Sequence, residues 1–178
     1  MLVVSGFLVF SSTTVAKGEE YKSKFVTVKC NKPGDLDKFT EKLQPGALTR
    51  TLNKVFLGKG RTSENSGLGE FLDSLLQRVQ LILDMRMPEL AVTIQILQDQ
   101  KEVSAAYARV SGISSDAFAF YDYKTNTIYV QIEHTSIGIV AQEMGHAIID
   151  HYFAIQPPPK IAEMLCQYVD KEISGGNF

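Results

Sequence analysis

The spacing of apolar and polar residues predicts two long amphipathic helices. Between residues 70 and 85 apolar side chains recur at every third or fourth position and so share one helical face. The same period recurs between residues 136 and 153. The predicted buried positions are Phe71, Leu72, Leu75, Leu76, Val79 and Leu83 in the first helix and Ile137, Ala141, Met144 and Ile148 in the second. Faces of this width need apolar partners, so we expect both helices to pack against a core.

Shorter runs of β-branched and aromatic residues predict a small sheet. The predicted strands are residues 25–28, 90–97, 117–123 and 127–132, the last two forming a hairpin around residues 124–126. Further helices are predicted at residues 35–43, 102–110 and 159–173, whereas residues 44–68, which contain one Pro and four Gly residues, are predicted to be loop. Early strands followed by late helices indicate an α+β fold, with a small mixed sheet packed on helices.

The first sixteen residues carry no charge and resemble a secretory leader. Their apolar stretch ends in small and polar residues, although no Lys or Arg precedes it. We therefore expect a signal peptide at residues 1–16, a single domain at residues 17–178, and export to the periplasm or the exterior. The alternative is a buried strand and a cytoplasmic protein. Export would allow Cys30 and Cys166 to pair, whereas two free buried thiols are the other option.

Composition narrows the classes of function. The chain has 178 residues, of which 44% are hydrophobic and 21% charged, a balance that excludes wholesale disorder. A net charge of -2 argues against a nucleic-acid partner. Beyond the possible leader, no apolar run long enough for an integral membrane segment occurs. With two cysteines and three histidines, a metal site would have to draw on carboxylates or use every histidine.

The second long helix contains the candidate chemistry. Gln142 and His146 are four residues apart and so share a helix face, with Glu143 beside them. This is the geometry of the H-E-x-x-H motif, in which two histidines hold zinc and the glutamate activates water. A glutamine replaces the first histidine here. The same letters also occur by chance in amphipathic helices with a solvated Glu and a hydrogen-bonded His.

The surrounding segments favour the metallopeptidase interpretation. A hairpin leads into the helix, and Gly145 leaves one side of the helix without a side chain. Glu163 follows on the next helix, 17 residues after His146. Residues 120–130, 141–148 and 162–163 together resemble the gluzincin branch of the zinc metallopeptidases, in particular its small peptidase MA-like members, whose helix reads H-E-x-G-H-A. The resemblance covers residues 117–170. It implies a zincin-like fold, peptide-bond hydrolysis in the family, and Glu143 as the catalytic general base.

The same resemblance implies His146 and Glu163 as zinc ligands and places Gln142 at the first ligand position. A carboxamide oxygen is a poor donor to zinc compared with an imidazole. We therefore expect weak or absent zinc and little hydrolysis. His134 precedes the helix and is a possible substitute ligand, whereas His151 is turned about 140° away from His146. Natural loss of activity, deliberate replacement of a histidine, and an altered site all remain open.

Two functions follow from this sequence. One is a metallopeptidase-like protein with a degenerate site. The other is a non-catalytic module that holds a peptide or protein in the former cleft, where the hairpin edge offers main-chain hydrogen bonds. A structural domain with an accidental motif is the third option. Asp150, one turn after His146, is a candidate to orient that histidine, or else a solvated helix residue.

Overall fold

The strands and helices lie within residues 18–43 and 66–175, the parts of the chain that the computed structural model describes. The strands are β1 (Glu19–Lys22), β2 (Val26–Cys30), β3 (Val92–Leu97), β4 (Ala119–Asp122) and β5 (Thr127–Gln131). The α-helices are α1 (Asp35–Leu43), α2 (Ser66–Leu83), α3 (Gln100–Ser111), α4 (Ile137–Tyr152) and α5 (Pro159–Ser174). A 3-10 helix, Ile132–His134, follows β5 and precedes α4.

The five described strands form one mixed sheet in the order β1-β2-β3-β5-β4. The central strands β2, β3 and β5 run parallel, whereas β1 and β4 are antiparallel to their neighbours. In the hairpin, Phe120 pairs with Tyr129 and Tyr121 with Ile128. Within the described part of the chain, β4 therefore forms one edge of the sheet, beside the strand that leads towards α4.

The two faces of the sheet are covered unequally. One face packs against α1, α2, α4 and α5 and holds the main core, which includes Ile94 and Ile128. On the other face Leu97 and Phe120 pack against α3. Because successive strand residues point to opposite faces, Phe120 faces α3 while Tyr121 packs on the main core.

Local sequence signals position the last two helices behind the hairpin. The carboxylate of Asp122 accepts a hydrogen bond from the N–H of Lys124 at 3.1 Å, which stabilises the turn. Ser136 caps α4 by accepting a hydrogen bond from the N–H of Ile139 at 3.3 Å. Pro159 begins α5, where its fixed φ suits the first turn and its missing N–H is not needed.

The α+β class predicted from the sequence is confirmed. The helix predicted at residues 35–43 has those bounds, and the four predicted buried positions of α4 are buried. The expectation of loop as far as residue 68 is wrong, because α2 begins at Ser66. Gly67 suggested a loop, but it lies in the first turn of α2. The nearby Gly69 allows close packing, since a Cβ there would lie 2.8 Å from Cβ of Ser23. Strand β1 was not predicted, since it is polar and largely exposed.

Three further predictions concern the leader and the loop, the two cysteines, and membrane-spanning helices. The predicted leader at residues 1–16 and most of the predicted loop, residues 44–65, lie outside the described residues. Cys30 and Cys166 are both buried and free, so the free-thiol option holds and the disulfide does not form. Among the helices that the structure describes, none combines the length and apolarity needed to cross a bilayer.

Candidate functional site

A cleft of about 500 Å³ is bounded by β4, α4 and α5. Aromatic side chains contribute to its lining from α3 and the hairpin, namely Tyr107, Phe120, Tyr121 and Tyr123. Polar side chains contribute from α4 and α5, namely Gln142, Glu143, His146, Asp150 and Glu163. The residues of the Q-E-x-x-H motif thus share one cavity with the edge strand.

A hydrogen-bonded network joins α4 to α5 inside the cleft. Gln142 donates from Nε2 to Oε1 of Glu163 at 3.3 Å, and Nε2 of His146 lies 3.4 Å from Oε2 of Glu163. Gln167, one turn beyond Glu163, donates from Nε2 to the same Oε1 at 2.8 Å. The Glu163 carboxylate is therefore held by three side chains from two helices. Gln167 escaped the sequence analysis, although its four-residue spacing from Glu163 was a usable signal.

Glu143 is buried at the edge of this network. Only 7% of the residue is exposed to solvent. Burial raises the pKa of its carboxyl to about 8, and the nearby Glu163 adds to this shift. A hydrogen bond with the backbone of Tyr121 acts in the opposite direction. At neutral pH the Glu143 carboxyl is therefore mostly protonated.

Burial also shifts the pKa of His146. It lowers the pKa of the imidazole, and the adjacent Glu163 opposes that shift without cancelling it. A neutral imidazole carries one N–H and one lone pair. Nε2 of His146 lies 3.4 Å from Oε2 of Glu163, so the N–H at Nε2 is the one that faces this carboxylate.

The close approach of α4 and α5 depends on Gly145. A Cβ at this position would lie 3.2 Å from Sγ of Cys166, a fully buried residue on α5. Burial raises the pKa of the Cys166 thiol, and the carboxyls of Glu143 and Glu163 add to the effect. Cys166 is thus an unreactive packing thiol beneath the network.

The free edge of β4 faces the cleft. The carbonyl of Phe118 accepts a hydrogen bond from the N–H of Gln131 at 2.8 Å, so Phe118 is bonded towards β5. Alternate residues of an antiparallel strand bond to the same neighbour. Residues 118, 120 and 122 therefore bond towards β5, and residues 119 and 121 direct their N–H and C=O groups away from it. The contact between the Tyr121 backbone and Glu143 agrees with this direction.

The structure places the remaining candidates away from the network. Asp150 lies in the cleft wall, where it accepts a hydrogen bond from the hydroxyl of Tyr121 at 3.4 Å and lies 3.8 Å from Nδ1 of His151. The ring of His134 stacks on Phe118 at a centroid distance of 4.0 Å. His151 also bonds the carbonyl of Ala147 at 2.9 Å, on the turned-away side of α4.

The donor set does not fit a catalytic zinc ion. Such an ion takes three strong protein donors and a water. Here His146 and Glu163 can supply two such metal ligands. The side chain of Gln142 directs an N–H group at Glu163 rather than an oxygen lone pair at a metal position. Within residues 18–43 and 66–175, no three His, Cys, Asp or Glu side chains are arranged to hold a metal ion. His134 consequently does not complete a set of three.

Comparison with known proteins adds no relative. No protein-family model, curated protein or solved structure matches this chain. The resemblance to gluzincins consequently rests on the sequence motif and its spacing.

Proposed function

We propose that this chain is a metallopeptidase-like protein on a zincin-type fold that binds extended peptides in its cleft without hydrolysing them. One observation carries the proposal: the outward edge of β4 and the Gln142–His146 turn of α4 line the same cavity. An extended peptide can add a strand to such an edge through main-chain hydrogen bonds. Its alternate side chains then point towards α4 and α5.

The edge offers a defined set of main-chain groups. Ala119 directs both its N–H and its C=O group away from β5, and Tyr121 directs its carbonyl the same way. Both residues also line the cleft. A peptide aligned along these positions would pass beside Glu143 and Glu163. The wall formed by Tyr107 and Tyr123 gives its side chains apolar contact area.

The polar groups of the cleft support binding better than hydrolysis. A pKa of Glu143 raised to about 8 does not itself argue against a general base, because a catalytic pKa near the working pH is favourable. Hydrolysis is disfavoured instead by the set of metal donors. The donors around Glu143 are two good metal ligands and a carboxamide engaged with Glu163. Nothing in this set lowers the pKa of a water molecule.

A direct test measures binding and cleavage on the same samples. Fluorescein-labelled decapeptides of Ala, Ser and Val, each with one variable central residue, are titrated with the chain and followed by anisotropy. Mass spectrometry of the same mixtures, with and without added zinc, detects cleavage. We expect saturable binding of at least part of the set and intact peptides. Cleavage that depends on added zinc would instead establish an impaired enzyme, the second function indicated by the retained Glu143, His146 and Glu163.

Ala119→Pro identifies the binding edge. The substitution removes an outward N–H but no bond to β5, and proline is tolerated on edge strands for that reason. Loss of one main-chain hydrogen bond should weaken peptide binding about fivefold or more. Ala119→Ser keeps the N–H and serves as the matched control. Unchanged affinity in a folded Ala119→Pro variant would exclude strand addition at β4.

A further inference from the structure

The last helix, α5, carries an apolar stripe that the core leaves uncovered. Four large apolar side chains recur on it at helical spacing and so share one face, namely Ile161, Met164, Leu165 and Tyr168. Ile161, Met164 and Tyr168 are each between 46% and 57% exposed. Large apolar side chains exposed side by side mark a surface that another molecule covers.

The turn before α5 adds to this exposure. Ile155, between α4 and α5, is 88% exposed, and Tyr152 at the end of α4 is nearly half exposed. Five of the nine large apolar side chains exposed in the described part of the chain thus lie within residues 152–168. None of the five lines the cleft, so this surface is separate from the peptide site.

Two lysines flank the stripe on one side. Lys160 comes four residues before Met164 and Lys171 seven residues after it, so both lie on the Met164 side of the stripe. Both are exposed, and in the described part of the chain neither ammonium group forms an ion pair. Glu172, where the stripe ends, is half-buried and has a contact of its own within the chain. The stripe therefore offers apolar surface beside unpaired positive charge, which complements an anionic partner.

The same charges disfavour a second copy of the chain as the occupant. In a symmetric pair each surface meets its own copy. Antiparallel pairing of two α5 helices along the stripe would place the lysine-bearing flanks side by side, where like charges repel.

We propose that α5 lies on the surface of an anionic lipid bilayer, with the stripe at the edge of the acyl chains and the two lysines at the lipid phosphates. An amphipathic helix at such a surface buries its apolar face about 5–10 Å into the boundary between headgroups and chains. Attraction to anionic lipids strengthens binding about fivefold for each lysine. This attachment goes beyond peptide binding and does not depend on it.

The side chains present suit this environment. The aliphatic stem of a lysine lies along apolar surface while its ammonium group reaches the headgroups. Tyr168 joins an apolar ring to a polar hydroxyl, a combination enriched at membrane interfaces. A fluid bilayer accommodates projecting side chains such as Ile155 and Met164, whereas a protein partner requires close shape complementarity.

Vesicle flotation tests the proposal with the full chain. Vesicles of phosphatidylcholine alone are compared with vesicles of phosphatidylcholine and phosphatidylglycerol in equal amounts. We expect binding to the anionic vesicles to be about tenfold or more tighter than to the neutral ones. Ile161→Ser/Met164→Ser should weaken it about tenfold or more, because two apolar side chains no longer enter the bilayer. Lys160→Gln/Lys171→Gln should weaken it about twentyfold.

The matched controls change exposed positions elsewhere. Ile113→Ser removes an exposed apolar side chain after α3, and Lys38→Gln/Lys101→Gln gives the same net charge as the variant of the stripe lysines. Both controls should bind the anionic vesicles as the parent does. Weakening by the controls as great as that by the stripe variants would contradict the proposal.

Three other results would overturn it. They are absence of the parent from both kinds of vesicle, equal binding to both, and unchanged binding of Ile161→Ser/Met164→Ser. Analytical ultracentrifugation examines the second copy: a dimer of the parent that this variant loses would assign the stripe to self-association instead. If the double variant fails to fold, as judged by circular dichroism, Tyr168→Ser replaces it, and unchanged binding of that folded variant would equally contradict the proposal.

Discussion

Gln142 donates a hydrogen bond to Glu163 across the interface of α4 and α5, over 3.3 Å from Nε2 to Oε1. Two zinc ligands would direct lone pairs at a shared point between them. Gln142 instead directs a donor at the acceptor, so the two side chains satisfy each other. Gln142 therefore does more than replace the first histidine of the motif, because it also engages Glu163, the ligand predicted on the next helix, in a helix-to-helix contact.

Restoring histidine at position 142 tests this relationship. In Gln142→His the donor to Glu163 is lost and a third strong zinc donor is gained. We expect the variant to bind about one zinc ion per chain, and the parent to bind zinc about a hundredfold or more weakly. Elemental analysis after dialysis and titration calorimetry measure both quantities.

The double variant Gln142→His/Glu163→Gln serves as the control for that measurement. It should lose the affinity gained by the single variant, since only two strong donors would remain. Stoichiometric, tight zinc in the parent would show that Gln142 ligates the metal after all. Absence of zinc from Gln142→His would reduce the gluzincin resemblance to a likeness of sequence motif without a metal site.

The packing of α4 on α5 predicts opposite effects for two glycines of the same helix. A Cβ at Gly145 would lie 3.2 Å from Sγ of Cys166, which is fully buried and has little room to move. Overpacking costs about 1–3 kcal/mol and outweighs the gain of about 1 kcal/mol in helix propensity. We expect Gly145→Ala to lower the free energy of unfolding by about 1 kcal/mol, measured by urea denaturation.

Gly138→Ala is the matched comparison. The added Cβ would meet the carboxylate of Asp170 and the hydroxyl of Ser174, which are ends of side chains that can rotate away. Helix propensity should then dominate, and stability should stay constant or rise slightly. If both variants destabilise equally, the Gly145–Cys166 contact is not the cause. A double-mutant cycle with Cys166→Ala isolates that contact.

Periodicity accounts for much of what the sequence could predict. Apolar residues at helical spacing located α2 and α4, and the four-residue interval put Gln142 and His146 on one face. The 17-residue interval also anticipated that Glu163 would come back to that face, where it now contacts both residues. These are local or short-range relations, which chain geometry dictates.

Relations between distant segments were not accessible in this way. The sheet order places β5 between β3 and β4, and no local pattern encodes it. The contribution of Tyr107 to the cleft depends on how α3 crosses the sheet. His134 stacks on Phe118, a contact set by the path of the chain after β5. In each case tertiary packing decides, and its signal is spread over many residues.

The hydroxyl of Tyr121 is expected to matter for stability and little for metal affinity. It lies 2.9 Å from Oδ1 of Asn126 and 3.4 Å from Oδ2 of Asp150. Burial raises the pKa of this hydroxyl, and Asp150 adds to the shift, so it stays protonated and able to donate. Tyr121→Phe leaves those acceptors without their donor and should cost about 1–2 kcal/mol in thermal or urea unfolding.

Asp150 can be tested in the same series. If it acts through Tyr121 rather than His146, adding Asp150→Asn to Gln142→His should leave zinc affinity within about twofold. A carboxylate that hydrogen-bonds and orients a ligating histidine would change zinc affinity about tenfold or more when it is removed. A large loss of zinc affinity would therefore assign Asp150 the orienting role.

Glu143 predicts how stability changes with pH. Its pKa is raised from 4.5 to about 8 in the folded chain, so the folded state holds the proton more tightly than the unfolded state. The stability from this group is fully present below pH 4.5 and is lost as pH rises through about 8. Each unit of pKa difference corresponds to about 1.4 kcal/mol, so the loss can reach a few kcal/mol.

Urea unfolding at intervals from pH 4.5 to 8.5 measures the free energy of unfolding of the parent and of Glu143→Gln. The glutamine variant carries no proton to lose, so the difference in unfolding free energy between the two proteins should widen in its favour with pH. Parallel curves for the two proteins would mean that Glu143 titrates normally, and the buried, protonated carboxyl described here would then be wrong.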